Sequence, residues 1–142
     1  MKRAPSLASV MTPFPHAIDA AESVAAARAM MQEHDFHHLP VTREGELVSV
    51  ISTADITLSS RFESIDTEVP VAKICASPPY IVDIHTRLSE VVTQMAERRS
   101  DSALVTRQGK LVGILTHTDV SRLLARALRT MSGDAPGDDD VA

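Results

Sequence analysis

Two short segments combine a hydroxyl and a carboxylate at the same spacing. Ser52-Thr-Ala-Asp55 and Thr116-His-Thr-Asp119 both stand where an apolar run passes into a predicted helix. A helix N-terminus presents unpaired N–H groups and the positive end of its dipole, which suits a phosphate, and a carboxylate there can accept from a ribose diol. The same spacing also resembles a capping box, which only starts a helix. The residues alone leave both interpretations open.

Three histidines lie close together in the segment His34-Asp-Phe-His37-His38. They could ligate a metal, contact a phosphate or simply face solvent. Zinc sites usually take three or four ligands, often with cysteine, and the sequence offers no second cluster of such ligands. We therefore predict no metal site.

Motifs of common enzymes are missing from the chain. The sequence contains no glycine-rich phosphate loop, no His-Glu-x-x-His zinc helix and no Gly-x-Ser-x-Gly elbow. In an internal repeat of the chain, Cys75 occupies the position that Met11 holds in the first copy, which indicates a packing role and not a nucleophile. We predict a protein that is not an enzyme and has no catalytic residue.

Composition narrows the class of protein further. The 142 residues are 44% hydrophobic and 23% charged, as in globular domains, and the net charge of -5 argues against a nucleic-acid partner. A single cysteine suits a reducing compartment. No apolar run reaches the roughly 20 residues that span a bilayer, and the N-terminus lacks a signal-peptide core. We expect a cytoplasmic protein with neither a membrane nor a nucleic acid as partner.

The internal repeat organises these features. Val41-Thr-Arg-Glu-Gly-Glu-Leu-Val48 reappears as Val105-Thr-Arg-Gln-Gly-Lys-Leu-Val112, with six of eight residues identical. The offset of 64 residues between the two segments also aligns Asp55 with Asp119. The alignment needs no gap from about residue 7 to residue 58. Two copies are too few for an open solenoid, which needs about three. The pattern favours a closed pair related by a pseudo-two-fold axis.

Each copy reads as strand, helix, strand, strand, helix, so the predicted fold class is α/β with two tandem β-α-β-β-α repeats. We predict strands at 16–19, 39–42 and 47–51, with helices at 23–34 and 55–62, and equivalents at 80–83, 86–98, 103–106, 111–115 and 119–131. Thr86 is the predicted N-cap of the helix over 86–98. Repeat 1 with its lead-in then spans 1–63, a connector 64–70, repeat 2 71–131, and an acidic, disordered tail 132–142.

These residues resemble a tandem pair of CBS domains, the regulatory modules named after cystathionine β-synthase. The first copy carries the segments Val10-Met-Thr-Pro13, Ser23-Val24, His37-His-Leu-Pro-Val41, Gly45-Glu-Leu-Val48 and Ser52-x-x-Asp55. The second copy carries Pro79, Leu88, Met95, Val105, Gly109-Lys-Leu-Val-Gly-Ile-Leu-Thr116 and Asp119. The resemblance covers about residues 7 to 131, and its specificity comes from the ordered recurrence of motifs that are weak singly.

The resemblance implies a module with a cleft on each side of the pseudo-dyad, and adenosine compounds such as AMP, ADP, ATP or S-adenosylmethionine as ligands. Asp55 and Asp119 would then hold the ribose hydroxyls, and Ser52 and Thr116 would bind near the phosphate or ribose. The segments around His16 and Tyr80 would line the adenine pocket, and His37 and His38 would face the phosphates. No resident cofactor is implied.

The two copies depart from the family pattern at different positions, which predicts two unlike clefts. Asp101 and Ser102 replace the histidines, and Ser49 stands where the family often has the glycine that Gly113 keeps. Because glycine permits close backbone approach, we favour the cleft that contains Thr116 and Asp119.

The resemblance thus predicts a stand-alone regulatory or sensor module that binds an adenosine-containing ligand and signals to a protein partner. An apolar stripe from Val120 to Met131 predicts a homodimer. Two alternatives stay open: a ligand-free interaction scaffold with vestigial clefts, and a small metal-dependent enzyme that uses the histidine cluster.

Overall fold

The computed structural model describes residues 4–13, 15–62, 68–75 and 78–133, with no side chains described at 59–62. The predicted tail lies outside these ranges from residue 134 onward, as do residues 63–67 of the repeat 1 end and connector. The chain divides into two compact units. We call residues 15–79 the first-repeat unit, and residues 4–13 with 80–133 the second-repeat unit.

The elements confirm the predicted order in both copies, with bounds shifted by a few residues at most. They are α1 (Leu7–Val10), β1 (Thr12–Pro13), β2 (Ile18–Asp19), α2 (Val24–His34), β3 (His38–Arg43), β4 (Glu46–Ser52), α3 (Thr53–Phe62), a 3₁₀ turn (Val71–Lys73), β5 (Ile81–Asp83), α4 (Leu88–Arg98), β6 (Ser102–Arg107), β7 (Lys110–Thr116) and α5 (His117–Ser132).

Each unit contains one sheet of the same design. In the first-repeat unit the strand order is β2-β3-β4, and in the second-repeat unit it is β1-β7-β6-β5. The opening strand of each repeat pairs in parallel with the next, and the two strands after the helix form an antiparallel hairpin.

Both hairpins turn on a residue pair with positive φ. The pair is Glu44 and Gly45 in the first-repeat unit, and Gln108 and Gly109 in the second-repeat unit. Two consecutive positive φ angles are typical of a type I′ turn, whose twist matches that of the flanking strands. The predicted glycine turns are therefore confirmed.

Each lead-in segment packs into the core of the other repeat. Leu7, on α1, is 1% exposed and packs with Val91 and Leu115 of repeat 2. Val71, its equivalent in the second copy, is fully buried with Val24 of repeat 1. Strand β1 likewise pairs with β7. Because the lead-in segments pack in this way, the boundaries of the two structural units differ from the boundaries of the two sequence repeats.

The first helix of each repeat begins in a different way. Ser23 caps α2, where the Ala26 N–H donates to Ser23 Oγ at 3.0 Å. The prediction that Thr86 caps α4 is wrong, since the helix starts at Leu88 and the N-cap is Arg87 without a side-chain hydrogen bond. Thr86 instead belongs to the preceding turn, in which its N–H donates to the Asp83 carbonyl at 3.0 Å.

The last helix leaves part of its apolar stripe exposed. Leu124 is 56% exposed, Leu128 53% and Met131 82%. Among the described residues, no helix combines the length and apolar character needed to span a membrane.

Candidate functional site

The Thr116–Asp119 corner joins β7 to α5 through a reciprocal capping box. The Thr116 N–H donates to Asp119 Oδ2 at 2.9 Å, and the Asp119 N–H donates to Thr116 Oγ1 at 3.4 Å. Asp119 is only 7% exposed, and its Oδ1 lies 3.5 Å from Thr12 Oγ1, which is long for a hydroxyl hydrogen bond. The carboxylate is thus oriented by Oδ2, and Oδ1 retains capacity to accept.

The Ser52–Asp55 corner repeats this geometry in the first-repeat unit. The Ser52 N–H donates to Asp55 Oδ2 at 2.8 Å, and the Asp55 N–H donates to Ser52 Oγ at 3.1 Å. The capping interpretation left open by the sequence is therefore realised at both corners. Capping employs one carboxylate oxygen, so it does not exclude a ligand on the other.

In each unit, the strand register places the hydroxyl–carboxylate corner and one ring side chain, Tyr80 or His16, at the same end of the sheet. In the second-repeat unit Thr116 pairs with Ser102, and the Leu104 N–H donates to the Tyr80 carbonyl at 2.8 Å. In the first-repeat unit Ser52 pairs with His38, and His16 stands just before β2. Tyr80, Thr116 and Asp119 therefore lie at one end of the sheet of the second-repeat unit, and His16, His38, Ser52 and Asp55 lie at the corresponding end of the other sheet.

Both rings are stacked on a residue from the end of the following helix. The Arg98 guanidinium lies over the Tyr80 ring, 4.5 Å from its centre. The His16 and His34 rings stack with centres 4.1 Å apart and planes 17° from parallel, and Phe36 lies beside both. Burial raises the pKa of Tyr80, and the positive charge of Arg98 opposes that effect.

The three histidines of the cluster have different neighbours in the folded chain. His37 lines a cavity of about 270 Å³ between α2 and α3, together with Arg28, Phe36 and Thr57. None of the other proposed ligand residues lines this cavity. His38, half-buried at the start of β3, is the member of the pair that lies beside the Ser52 corner.

Gly113 does not open space for a ligand, contrary to our reason for favouring its cleft. A Cβ at this position would lie 2.7 Å from Met11 Cε and 3.0 Å from Met11 Cγ. The close approach that the glycine allows is therefore made by the chain's own Met11, which β1 carries onto β7.

The equivalent contact in the first-repeat unit joins Cys75 to Ser49. The Cys75 thiol packs against the core and forms a hydrogen bond with Ser49. Burial is the main cause that raises the pKa of the thiol, and the negative charge of Asp55 adds to it. A thiol that stays protonated fits the predicted packing role, because the thiolate is the reactive form.

Comparison with known proteins agrees with this architecture. The model of the CBS domain family matches the chain twice, at residues 7–60 and 71–126. The chain belongs to the CBS domain family.

Its relatives include proteins similar in sequence and proteins similar in structure. Hypoxic response protein 1 of Mycobacterium tuberculosis is 28% identical over 105 residues, which cover 72% of this chain and 73% of that protein. A crystal structure of Hypoxic Response Protein I with two coordinated zinc ions has a TM-score of 0.71 at 22% identity, covering 83% of this chain and 98% of that one.

Two further structures contain adenosine compounds. The CBS pair of protein MJ0100, in complex with 5′-methylthioadenosine and S-adenosyl-L-methionine, has a TM-score of 0.78 at 20% identity, covering 88% of this chain and 99% of that one. CBSX2 in complex with AMP has a TM-score of 0.69 at 25% identity, covering 89% of this chain and 100% of that one.

Within the described part of this CBS pair, no group of three or more histidine, cysteine or acidic side chains is arranged to hold a metal ion. The rings of His16 and His34 stack on each other, whereas His37 lines the cavity between α2 and α3.

Sequence reasoning missed the partners of the two rings. Arg98 and His34 were not assigned to the rings, although the repeat offset aligns both pairs, His16 with Tyr80 and His34 with Arg98. That alignment was the available signal. What it could not reveal is that the two positions are in contact.

Proposed function

We propose that this CBS pair is a regulatory sensor that binds an adenosine-containing ligand, AMP, ADP, ATP or S-adenosylmethionine, and signals to a partner protein. The observation that carries the proposal is the recurrence, in both units, of an oriented carboxylate at the same sheet end as a ring. Tyr80 and Asp119 form one such set, and His16 and Asp55 the other.

The chemistry of each set matches the parts of an adenosine compound. A ring can stack on or flank the adenine base, and a carboxylate can accept hydrogen bonds from the vicinal ribose hydroxyls. Ser52 and Thr116 add hydroxyls beside the helix starts, where phosphate is favoured. His37 and His38 are the proposed phosphate contacts of the first-repeat unit.

The family relation supports a regulatory role without catalysis. Two relatives of the same fold contain adenosine compounds in their crystal structures. The exposed Leu124, Leu128 and Met131 support a homodimer as the signalling species. A nucleotide ligand and a single, protonated thiol suit the cytoplasm, where we place the protein.

The experiment that tests ligand binding is a thermal-shift panel followed by calorimetric titration. A ligand at about 100 times its dissociation constant should raise the free energy of unfolding by about 2.7 kcal/mol. Asp119→Ala should weaken binding about ten- to a hundredfold, because ribose hydroxyls lose a charged acceptor. The same change removes half of a capping box and should lower the free energy of unfolding by about 1 kcal/mol.

Two matched variants separate binding from capping. Asp55→Ala makes the same change in the first-repeat unit, and Asp119→Asn keeps an oxygen for the Thr116 N–H while removing the charge. Unchanged binding in all three variants, with stability lost in the alanine variants, would mean that the carboxylates only cap helices.

Two observations favour a second function, a ligand-free interaction scaffold. Met11 fills the space over Gly113 in the second-repeat unit, and part of the apolar face of α5 is exposed. On this alternative no nucleotide or S-adenosylmethionine shifts the melting temperature, while charge introduced on α5 still abolishes self-association.

A further inference from the structure

The two repeats place different side chains beside the rings at their equivalent positions 80 and 16. Position 80 holds Tyr80 with Arg98 stacked on it, and the equivalent position 16 holds His16 with His34 stacked on it. Arginine is charged at every accessible pH, and its planar guanidinium carries five N–H donors. The second-repeat unit therefore has a guanidinium at the position where the first-repeat unit has an imidazole.

The Arg98 guanidinium is free to engage a ligand. Its central carbon lies 4.5 Å from the centre of the Tyr80 ring, so its charge and its N–H donors stand next to that ring. No hydrogen bond or ion pair joins the Arg98 side chain to another residue in the described parts of the chain. Glu90, the acidic residue whose charge also acts on Tyr80, stands in the first turn of α4, while Arg98 is the last residue of that helix.

We propose that Arg98 is a specificity-determining residue that makes the second-repeat unit prefer anionic adenosine ligands, such as AMP, over S-adenosylmethionine. The inference rests on the proposed function, since it assumes that the base lies beside Tyr80. A phosphate ester carries negative charge and accepts two parallel hydrogen bonds from a guanidinium. The sulfonium and ammonium groups of S-adenosylmethionine outweigh its one carboxylate, so the same guanidinium repels it.

The test compares three ligands that share the adenosine part. AMP, adenosine and S-adenosylmethionine are titrated calorimetrically into the parent chain, into Arg98→Gln and into His34→Gln. Arg98→Gln should weaken AMP about tenfold, the scale of one charge-assisted hydrogen bond, and leave adenosine within about twofold. S-adenosylmethionine should bind unchanged or more tightly.

His34→Gln is the matched control, because it removes the stacked partner of the other ring without removing a fixed charge. It should change the ratio of AMP to adenosine affinity by less than about twofold. Added salt should weaken AMP binding more steeply in the parent than in Arg98→Gln, since screening acts on a charge that only the parent has.

Each outcome decides the matter. Equal weakening of AMP and adenosine by Arg98→Gln would overturn the inference, since it would mean that Arg98 only holds Tyr80 in place. An equal effect of His34→Gln on the affinity ratio would overturn it too. If the parent binds adenosine compounds and only the ratio fails to change, the proposed function stands without this inference. If the parent binds none of the three ligands, the inference is refuted, and if it binds neither ADP nor ATP as well, the proposed function is refuted with it.

Discussion

The contact of Met11 with Gly113, and its counterpart Cys75 with Ser49, predicts a pair of substitutions that are harmful singly and tolerated together. Gly113→Ser introduces the side chain that repeat 1 carries at this position. The backbone at Gly113 does not have positive φ, so serine meets no conformational penalty. The new Cβ would instead lie 2.7 Å from Met11 Cε, so the cost is one of packing.

The size of that cost follows from how readily Met11 can move. Overpacking a core costs about 1–3 kcal/mol, and a half-buried, flexible methionine relaxes enough to keep the loss near about 1–2 kcal/mol. Met11→Cys alone removes side-chain contacts and leaves a small void, for about 1 kcal/mol. In the double variant, cysteine faces serine as Cys75 faces Ser49. We expect a favourable coupling of about 1 kcal/mol or more between the two changes.

Urea unfolding of the parent, both single variants and the double variant measures this coupling as a double-mutant cycle. The reciprocal change Cys75→Met in the first-repeat unit is the control, and it should destabilise because Ser49 has a side chain where Gly113 has none. The reasoning would be refuted by a Gly113→Ser variant as stable as the parent, or by single losses that simply add in the double variant.

Three further predictions concern other parts of the chain. Burial and the charge of Asp55 raise the pKa of the Cys75 thiol. Iodoacetamide should therefore alkylate Cys75 with a pH midpoint above that of an exposed thiol, and Asp55→Asn should lower that midpoint and speed the reaction. Because the pKa of the Cys75 thiol is higher in the folded chain than in the unfolded chain, the free energy of unfolding should also fall as the pH rises from the unfolded-state pKa to the folded-state pKa. Leu128→Glu should convert the proposed homodimer to monomers in sedimentation velocity, because Leu128 is 53% exposed and a charge there opposes its burial in an interface. Deletion of residues 134–142, which keeps the positive-φ cap Gly133, should change the melting temperature by less than about 2 °C, since the segment is acidic and has little apolar surface to bury.

Short stretches of the sequence determine many local features of this protein. The turn at Glu44-Gly45, the helix start at Ser23 and the two hydroxyl–carboxylate corners all depend on residues that are near neighbours in the chain. Interactions of that range are decided by local backbone preference and side-chain reach, so they can be read from composition and spacing. Duplication then repeats the same pattern in the second copy, which is why the β-α-β-β-α order was predictable.

The tertiary structure alone decided which segment packs on which. Leu7 and Val71 are both apolar residues at the same place in the repeat, and either could fill either core; only long-range packing assigns each to the core of the other repeat. The same holds for Arg98 on Tyr80, whose contact joins residues separated by β5 and the length of α4. Such contacts depend on the summed fit of two cores and two sheets. A sequence pattern specifies which surfaces are apolar, but not which of two equally apolar surfaces will be covered by which segment.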